Sequence, residues 1–276
     1  MKLVLRLVAI LVLAGCARAT TRPDEPVEPV EPVERARDDA AATSGPFATS
    51  GDAAAEDARA CAALNIGTLG GPGTNPSSNF QTWLSESGTS VAPVQAVATD
   101  PLTAASLARF DVVIINFLAR NFTSGEAAVL ESWVKGGGGV IAMSGFTSDP
   151  VVDWRANALL SPLGLAYTNP FIKRGPITSF VAHPLTQGIT SVTFTGGFPL
   201  VDLGTGVAQR TAIGYLGPGE PVGFAVTLEN GRAFVWGDEW IQFDSEWGKL
   251  PEIKRLWVQV FAWLAPDKCP IIPPVR

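Results

Sequence analysis

The sequence predicts an α/β protein: a doubly wound, mostly parallel sheet with an added β-rich region in its second half. Two observations carry this. The apolar runs DVVIINF (111–117) and VIAMSGF (140–146) are too continuously hydrophobic for strands wetted on one face, so they belong inside a parallel sheet covered on both. Between and around them lie stretches of helical periodicity, and strands alternating with amphipathic helices build doubly wound sheets.

Taken in order, ALNIGTL (63–69) reads as a buried strand and GGPGTNPSS as a loop. NFQTWLSES is a short helix, VAPVQAV a second extended segment, and LTAASLARF carries helical spacing into the strand at 111–117. In TSGEAAVLESWVKGGGG, Thr123 and Glu126 form a capping box, Val129, Leu130, Trp133 and Val134 share a face, and the glycines end the helix. The second half is richer in strands: SFVAHPLTQGITSVTFTG, VAQRTAIGYLG and PVGFAVTLENGRAFVWG, the last with a hairpin turn at Glu229-Asn230-Gly231. The closing helix, PEIKRLWVQVFAWLAP, carries an apolar stripe of Ile253, Leu256, Trp257, Val260, Phe261 and Leu264 between Pro251 and Pro266. The arrangement expected is flavodoxin-like.

The chain has 276 residues, 46% hydrophobic and 17% charged, with a net charge of −6. That acidity excludes nucleic acid as a partner, because phosphate contacts need a basic face. Lys2 and Arg6 precede an apolar core, Leu7 to Leu13, that is too short to span a bilayer and reads as an export signal. It ends in Leu13-Ala14-Gly15-Cys16, which resembles a bacterial lipoprotein lipobox. The resemblance implies cleavage after residue 15 and acylation of Cys16, with palmitate among the chains. Each buried CH₂ then contributes about 0.8 kcal/mol to membrane anchoring. Ala17 is compatible with delivery to the outer membrane, so the localisation expected is the cell envelope, with the domain facing the periplasm or cell surface.

Residues 1–15 are thus the signal peptide and 16–58 a tether. In PDEPVEPVEPVE, Pro and Glu recur every third residue, the period of polyproline II, so like charges align and hold the segment extended and disordered. Residues 59–276 form the domain. With Cys16 lipidated, Cys61 and Cys269 remain at the two ends of that domain, an even pair in an oxidising compartment. A Cys61–Cys269 disulfide is expected, worth on the order of 5 kcal/mol by loop entropy; two free thiols are the alternative.

The opening strand with Gly-Gly-Pro-Gly, FDVVIINF, TSGEAAVLESWVKGGGGVIAMSG, AHPLTQGI and GRAFVWGDEW together resemble the class I glutamine amidotransferase-like superfamily, in particular its ThuA-like branch. The resemblance covers roughly residues 61–265 and speaks to fold more than to activity. Members of the superfamily carry a Cys nucleophile on an elbow after a central strand and a late His-Pro-Glu. Here the elbow reads Met143-Ser144-Gly145-Phe146, without Cys, and His183-Pro184 is followed by Leu185. Glutaminase chemistry is therefore not expected. Ser144 and His183, with Asp238 or Glu239 to orient the His, supply the residue types of a hydrolase trio. Ala142, however, stands where a G-x-S-x-G elbow needs its first Gly.

The densest chemistry is FVWGDEWIQFDSEWGK (234–249). Asp238 and Glu239 fall at the C-terminal end of a strand, where open α/β sheets bind ligands, and Asp244 and Glu246 follow closely. Three readings stand. The acids contact a ligand; Asp238, Glu239, Asp244 and Glu246 hold a hard cation such as Ca²⁺; or they cap neighbouring segments and pair with Arg174, Lys249 or Arg255 in a packed corner. Trp240 and Trp247 beside them suit a sugar platform. ThuA-like relatives are associated with sugar metabolism, so the resemblance adds carbohydrate as a ligand class. Asn75, Ser77 and Asn79 form the other wall of the same cleft. The function expected is an envelope lipoprotein whose non-catalytic domain binds a carbohydrate, or a ligand with metal assistance. The alternatives are a ThuA-like carbohydrate-active enzyme using Asp238 and Glu239, and a scaffold for envelope proteins.

Overall fold

The fold of the chain is given by a computed structural model, which describes residues 63–71, 75–145, 150–168 and 173–268. The signal peptide, the tether, Cys16, Cys61 and Cys269 lie outside these residues. The first half runs β1 (Asn65–Gly70), α1 (Ser78–Glu86), β2 (Ser90–Pro93), α2 (Ala104–Leu107), β3 (Val112–Asn116), α3 (Ser124–Lys135), β4 (Gly139–Met143) and α4 (Pro150–Leu160). Then come β5 (Leu165–Tyr167), β6 (Lys173–Ile177), β7 (Ser179–Phe180), β8 (Val192–Gly197) and β9 (Leu200–Asp202). The chain closes with β10 (Gln209–Gly217), β11 (Glu220–Leu228), β12 (Gly231–Trp236), α5 (Asp244–Trp247) and α6 (Pro251–Leu264).

The main sheet has eight strands in the order β2-β1-β3-β4-β12-β11-β10-β7. Its first five strands are mutually parallel, and the last three pair antiparallel. The parallel part has the 2-1-3-4-5 order of a flavodoxin-like sheet, except that the fifth position is filled by β12 from late in the chain. The intervening segment supplies the antiparallel edge and two small two-stranded sheets, β5-β9 and β6-β8. That is the β-rich addition.

Side-chain alternation sorts the parallel strands into two cores. Val112, Ile114, Ile141, Met143, Phe234 and Trp236 face α1 and α6; Val113, Ile115, Val140, Ala142, Ala233 and Val235 face α2, α3 and α4. Both faces are covered, which is why these runs are hydrophobic at every position. Each buried Val, Ile, Met or Phe among them contributes roughly 1.5–3 kcal/mol on burial.

Helix ends follow local chemistry. Thr123 Oγ1 accepts from Glu126 N at 3.2 Å and Glu126 Oε2 accepts from Thr123 N at 2.9 Å, completing the capping box of α3. Helix α6 buries Ile253, Leu256, Trp257, Val260, Phe261 and Leu264, with Pro251 in its first turn. The β11–β12 hairpin closes at Leu228 opposite Gly231, so its loop is Glu229-Asn230, with Glu229 at φ 52° as tight two-residue turns require. Gly231 is already the first residue of the strand. No helix among the described residues is long and apolar enough to cross a membrane.

Candidate functional site

The C-terminal ends of β1 and β3, between which the sheet reverses its winding direction, border a cavity of about 310 Å³. This is where doubly wound sheets receive ligands. The walls mix Leu69, Phe80, Val91, Pro93 and Ile114 with Thr68, Ser77, Gln81, Asn116 and Gln242. Among the described residues, no Lys, Arg, Asp, Glu or His lines it.

Asn116 ends β3, a polar residue after four consecutive apolar ones. It is 4% exposed; its Nδ2 donates to Glu239 Oε2 at 2.7 Å, while its Oδ1 is buried without any hydrogen-bond partner. A buried unpaired carbonyl costs roughly 1–3 kcal/mol. The next residue, Phe117, has φ 38°, a conformation that is strained for a bulky side chain. Gly70, at the end of β1, has φ +83°, and a Cβ there would overlap the carbonyl oxygen of Asn116. The two strand ends therefore meet only because residue 70 is glycine.

Glu239 lies behind this floor, 3% exposed. Its Oε2 accepts from Asn116 and also from Gln242 Nε2 at 3.2 Å, and its main-chain N–H donates to Ser144 O at 2.8 Å. A Cβ on Gly145 would collide with the Glu239 side chain, so the small residue after β4 makes room for the carboxylate.

The other acids take separate places. Asp238 is fully buried; its Oδ2 accepts from Thr195 N, and its Oδ1 from Trp240 N at 3.0 Å. It caps the 3₁₀ turn Glu239–Gln242 and ties β8 to the end of β12. Burial pushes its carboxyl up to about 7, with smaller contributions from Glu239 and Glu246, against the two main-chain N–H donors. Asp244 accepts from Ser78 Oγ at 2.5 Å and from Asn79 N at 2.8 Å; these bonds hold its carboxyl below the ordinary range. It binds the first turn of α1. Burial raises the carboxyl of Glu246, but hydrogen bonds from Lys249, Thr193 and Trp240 outweigh it and leave the group below its ordinary value. Lys249 Nζ and Trp240 Nε1 reach Glu246 Oε1 at 2.9 and 3.0 Å. Among the described residues no three acids, His or Cys come together to hold a metal ion. Each carboxylate instead has its own donors.

Trp247, expected on a polar loop, belongs to α5 and is buried against Phe80 and Trp83, at centroid distances of 5.6 and 5.4 Å. Apolar burial recruits it to the core, which leaves no sugar platform there. Trp240 is half-buried and stands edge-on to Phe243 at 5.2 Å; it does not line the cavity. Asn75 and Asn79 are exposed and also lie outside its lining, whereas Gly70 at the end of β1 and Gly71 and Ser77 after it line it.

Ser144 and His183 stand at opposite ends of the sheet. Ser144 follows the C-terminal end of β4, while His183 packs edge-on against Trp263 at 5.5 Å. Arg232, the second residue of β12, donates to the carbonyl of Trp263, which fixes Trp263 by the N-terminal strand ends. His183 Nδ1 accepts from Leu185 N at 3.2 Å, and burial lowers its pKa. They do not form a nucleophile–base pair. Gln242, Gln81 and Asn116 escaped the sequence reading; the available signal was the lone Asn closing the run VVIIN.

No known sequence family matches the chain, and no curated protein does. Solved structures do. The chain is similar to the mmIFT52 N-terminal domain, with 16% identity, a TM-score of 0.59, and coverage of 73% of this chain and 96% of that one. It is similar to a cytoplasmic protein, STM3548, from Salmonella typhimurium at 14% identity and TM-score 0.53, covering 74% of this chain and 99% of that one. A glutamine amidotransferase from Thermotoga maritima matches at 10% identity and TM-score 0.45, over 72% of this chain and 83% of that one. At these identities the likeness to the first two is one of fold, and the fold is mixed α/β with a large, mostly parallel central sheet.

Proposed function

We propose that the chain is a lipid-anchored cell-envelope protein whose α/β domain binds a small, uncharged polar ligand, of the carbohydrate class, without transforming it. The observation that carries the binding reading is Asn116, a residue with a buried, unpartnered Oδ1 that lines a cavity at the sheet's winding reversal. Native proteins rarely leave such an atom unpaired, and a ligand's donor would satisfy it. The absence of a Cys at the Met143-Ser144-Gly145 elbow and the separation of Ser144 from His183 support a non-catalytic site. The amide and hydroxyl groups beside apolar wall are the mixture that sugars, with their CH faces and hydroxyls, require. The ThuA-like resemblance enters this proposal in the same sense. A glycan panel titrated onto the full-length protein tests it: binding of a neutral sugar, lost on filling the cavity with Val91→Trp, is the expected result. Failure of every glycan would remove the carbohydrate class.

Anchoring rests on the lipobox. Cells fed labelled palmitate should label this protein and not its Cys16→Ser variant; equal labelling of both would exclude Cys16 as the anchor. The Cys61–Cys269 bridge gains support from Asp111. Its Oδ2 accepts from Asn65 N at 2.8 Å and its Oδ1 pairs with Lys268 Nζ at 2.9 Å, so both ends of the domain converge on one carboxylate.

A second reading, that of a carbohydrate-active enzyme, is favoured by one observation: Asp238 titrates near 7, as a general acid or base would. Its complete burial and two main-chain donors argue for a structural role. Chromogenic glycosides cleaved by the protein but not by Asp238→Asn would establish the enzyme instead.

A further inference from the structure

We infer that Glu239 sets the ligand class of the cavity by orienting Asn116, so that the floor offers a hydrogen-bond acceptor and selects ligands carrying a hydroxyl or amino donor over those carrying an anion. The inference rests on the cavity being a binding site, as proposed above.

An isolated Asn side chain can present either its carbonyl or its NH₂ to a cavity, and the choice decides what it recognises. Here the choice is made from behind. The Glu239 carboxylate only accepts, and its Oε2 lies 2.7 Å from Asn116 Nδ2. Rotating the amide would set two acceptors against each other inside the protein. The geometry therefore fixes Oδ1 on the other side, where it is buried and unpartnered. Gln242, also on the cavity wall, donates its Nε2 to the same Oε2 at 3.2 Å, so one carboxylate orients both amides. Gly145 leaves the space for Glu239, and the Glu239 N–H bond to Ser144 O at 2.8 Å pins its main chain to the end of β4. The acceptor is thus pre-organised before any ligand arrives, which lowers the cost of binding.

Charge reinforces the choice. No described lining residue is cationic, and the acidic Glu239 stands directly behind Asn116. A carboxylate or phosphate entering the cavity would meet a carbonyl oxygen and a negative field, with no Lys or Arg to compensate. A hydroxyl would satisfy Asn116 Oδ1, which is buried without a partner on a residue of the lining. Residue 116 is then the specificity-determining contact and Glu239 a positioning residue.

The experiment follows side-chain and main-chain amide signals of the full-length protein by NMR while titrating methyl glucoside, glucosamine and glucuronate. Methyl glucoside and glucosamine should shift the Asn116 side-chain and Gly70 signals; glucuronate should bind at least about tenfold more weakly, the value of one good hydrogen bond. Asn116→Leu should weaken the first two by a similar factor. Glu239→Gln supplies the readout that a merely structural role would not move. With an amide donor behind it, Asn116 can turn its NH₂ to the cavity, so its amide signal should move before any ligand is added and glucuronate should gain relative to methyl glucoside. Tighter binding of glucuronate to the unaltered protein would overturn the inference, as would an Asn116 amide signal that Glu239→Gln leaves unmoved. If no sugar shifts any signal but Glu239→Gln still moves the Asn116 amide, the carbohydrate reading fails while the orienting role of Glu239 stands.

Discussion

Asp238 illustrates how little a residue type says without its surroundings. Four acids within a short aromatic stretch read as one cluster, yet the fold gives each its own donors: main-chain N–H groups for Asp238, amides for Glu239, the first turn of α1 for Asp244, Lys249 and Trp240 for Glu246. The carboxyl of Asp238 is raised from 3.8 to about 7. Folding therefore favours its protonated form, so its stabilising contribution is whole below pH 4 and is lost as pH rises through 7. Asp238→Asn removes one main-chain bond but also the buried charge. Its destabilisation should be larger at pH 5 than at pH 8, by about 2 kcal/mol or more, in paired denaturant titrations. A pH-independent difference would mean the carboxyl titrates normally. Glu126 behaves in the opposite sense. Arg120, at 2.5 Å, is the main cause of its pKa falling to about 2, and the N–H groups of Thr123 and Leu102 add to it. Its contribution is present above the ordinary carboxylate range and lost as pH falls toward 2, so Glu126→Gln should cost about 2 kcal/mol at pH 7 and little at pH 2.

At the scale of elements, legibility followed periodicity. The buried stripe of α6 could be read to the residue because it keeps a 3.6-residue period behind Pro251, although the helix ends at Leu264, before Pro266. Strands β3 and β4 could be read because sandwiching between helix layers makes every position apolar. What could not be read is where strand ends meet. The contact between Gly70 and Asn116 joins residues whose neighbours in sequence carry no trace of it, and the unpaired Oδ1 is a property of three dimensions. Trp247 was misplaced for the same reason: its partners Phe80, Trp83 and Lys254 come from other elements. Gly70→Ala tests the junction. It combines a positive φ with overlap on the Asn116 carbonyl, and should lower stability by about 2 kcal/mol or more in urea melts, against a few tenths for Gly71→Ala, where a Cβ has open space. Equal effects at the two positions would show that the strand ends are not in close approach.

At the scale of the whole molecule, the sheet takes its fifth parallel strand from near the end of the chain, so the two halves cannot fold independently. β12 sits between β4 and β11, and its burial depends on both. The cavity inherits this. β1 and β3 supply its walls, and the turn after β12 brings Gln242 to its lining and Glu239 behind Asn116. The proposed disulfide would clasp the ends of the same unit. Non-reducing peptide mapping should recover Cys61 and Cys269 in one linked fragment, and reduction should lower the melting temperature; two separately alkylated cysteines would rule the bridge out.

The measurement that bears most directly on the binding site is thermal melting of the full-length protein and of Asn116→Leu against one panel of neutral, amino and acidic sugars. A ligand at a hundredfold excess over its Kd stabilises by about 2.7 kcal/mol, which for a domain of this size is a rise of roughly 5–10 °C. Such a rise is expected with a neutral or amino sugar, absent with its acidic counterpart, and absent from Asn116→Leu throughout. An equal rise in both proteins, or none with any sugar, would contradict a carbohydrate site built on Asn116.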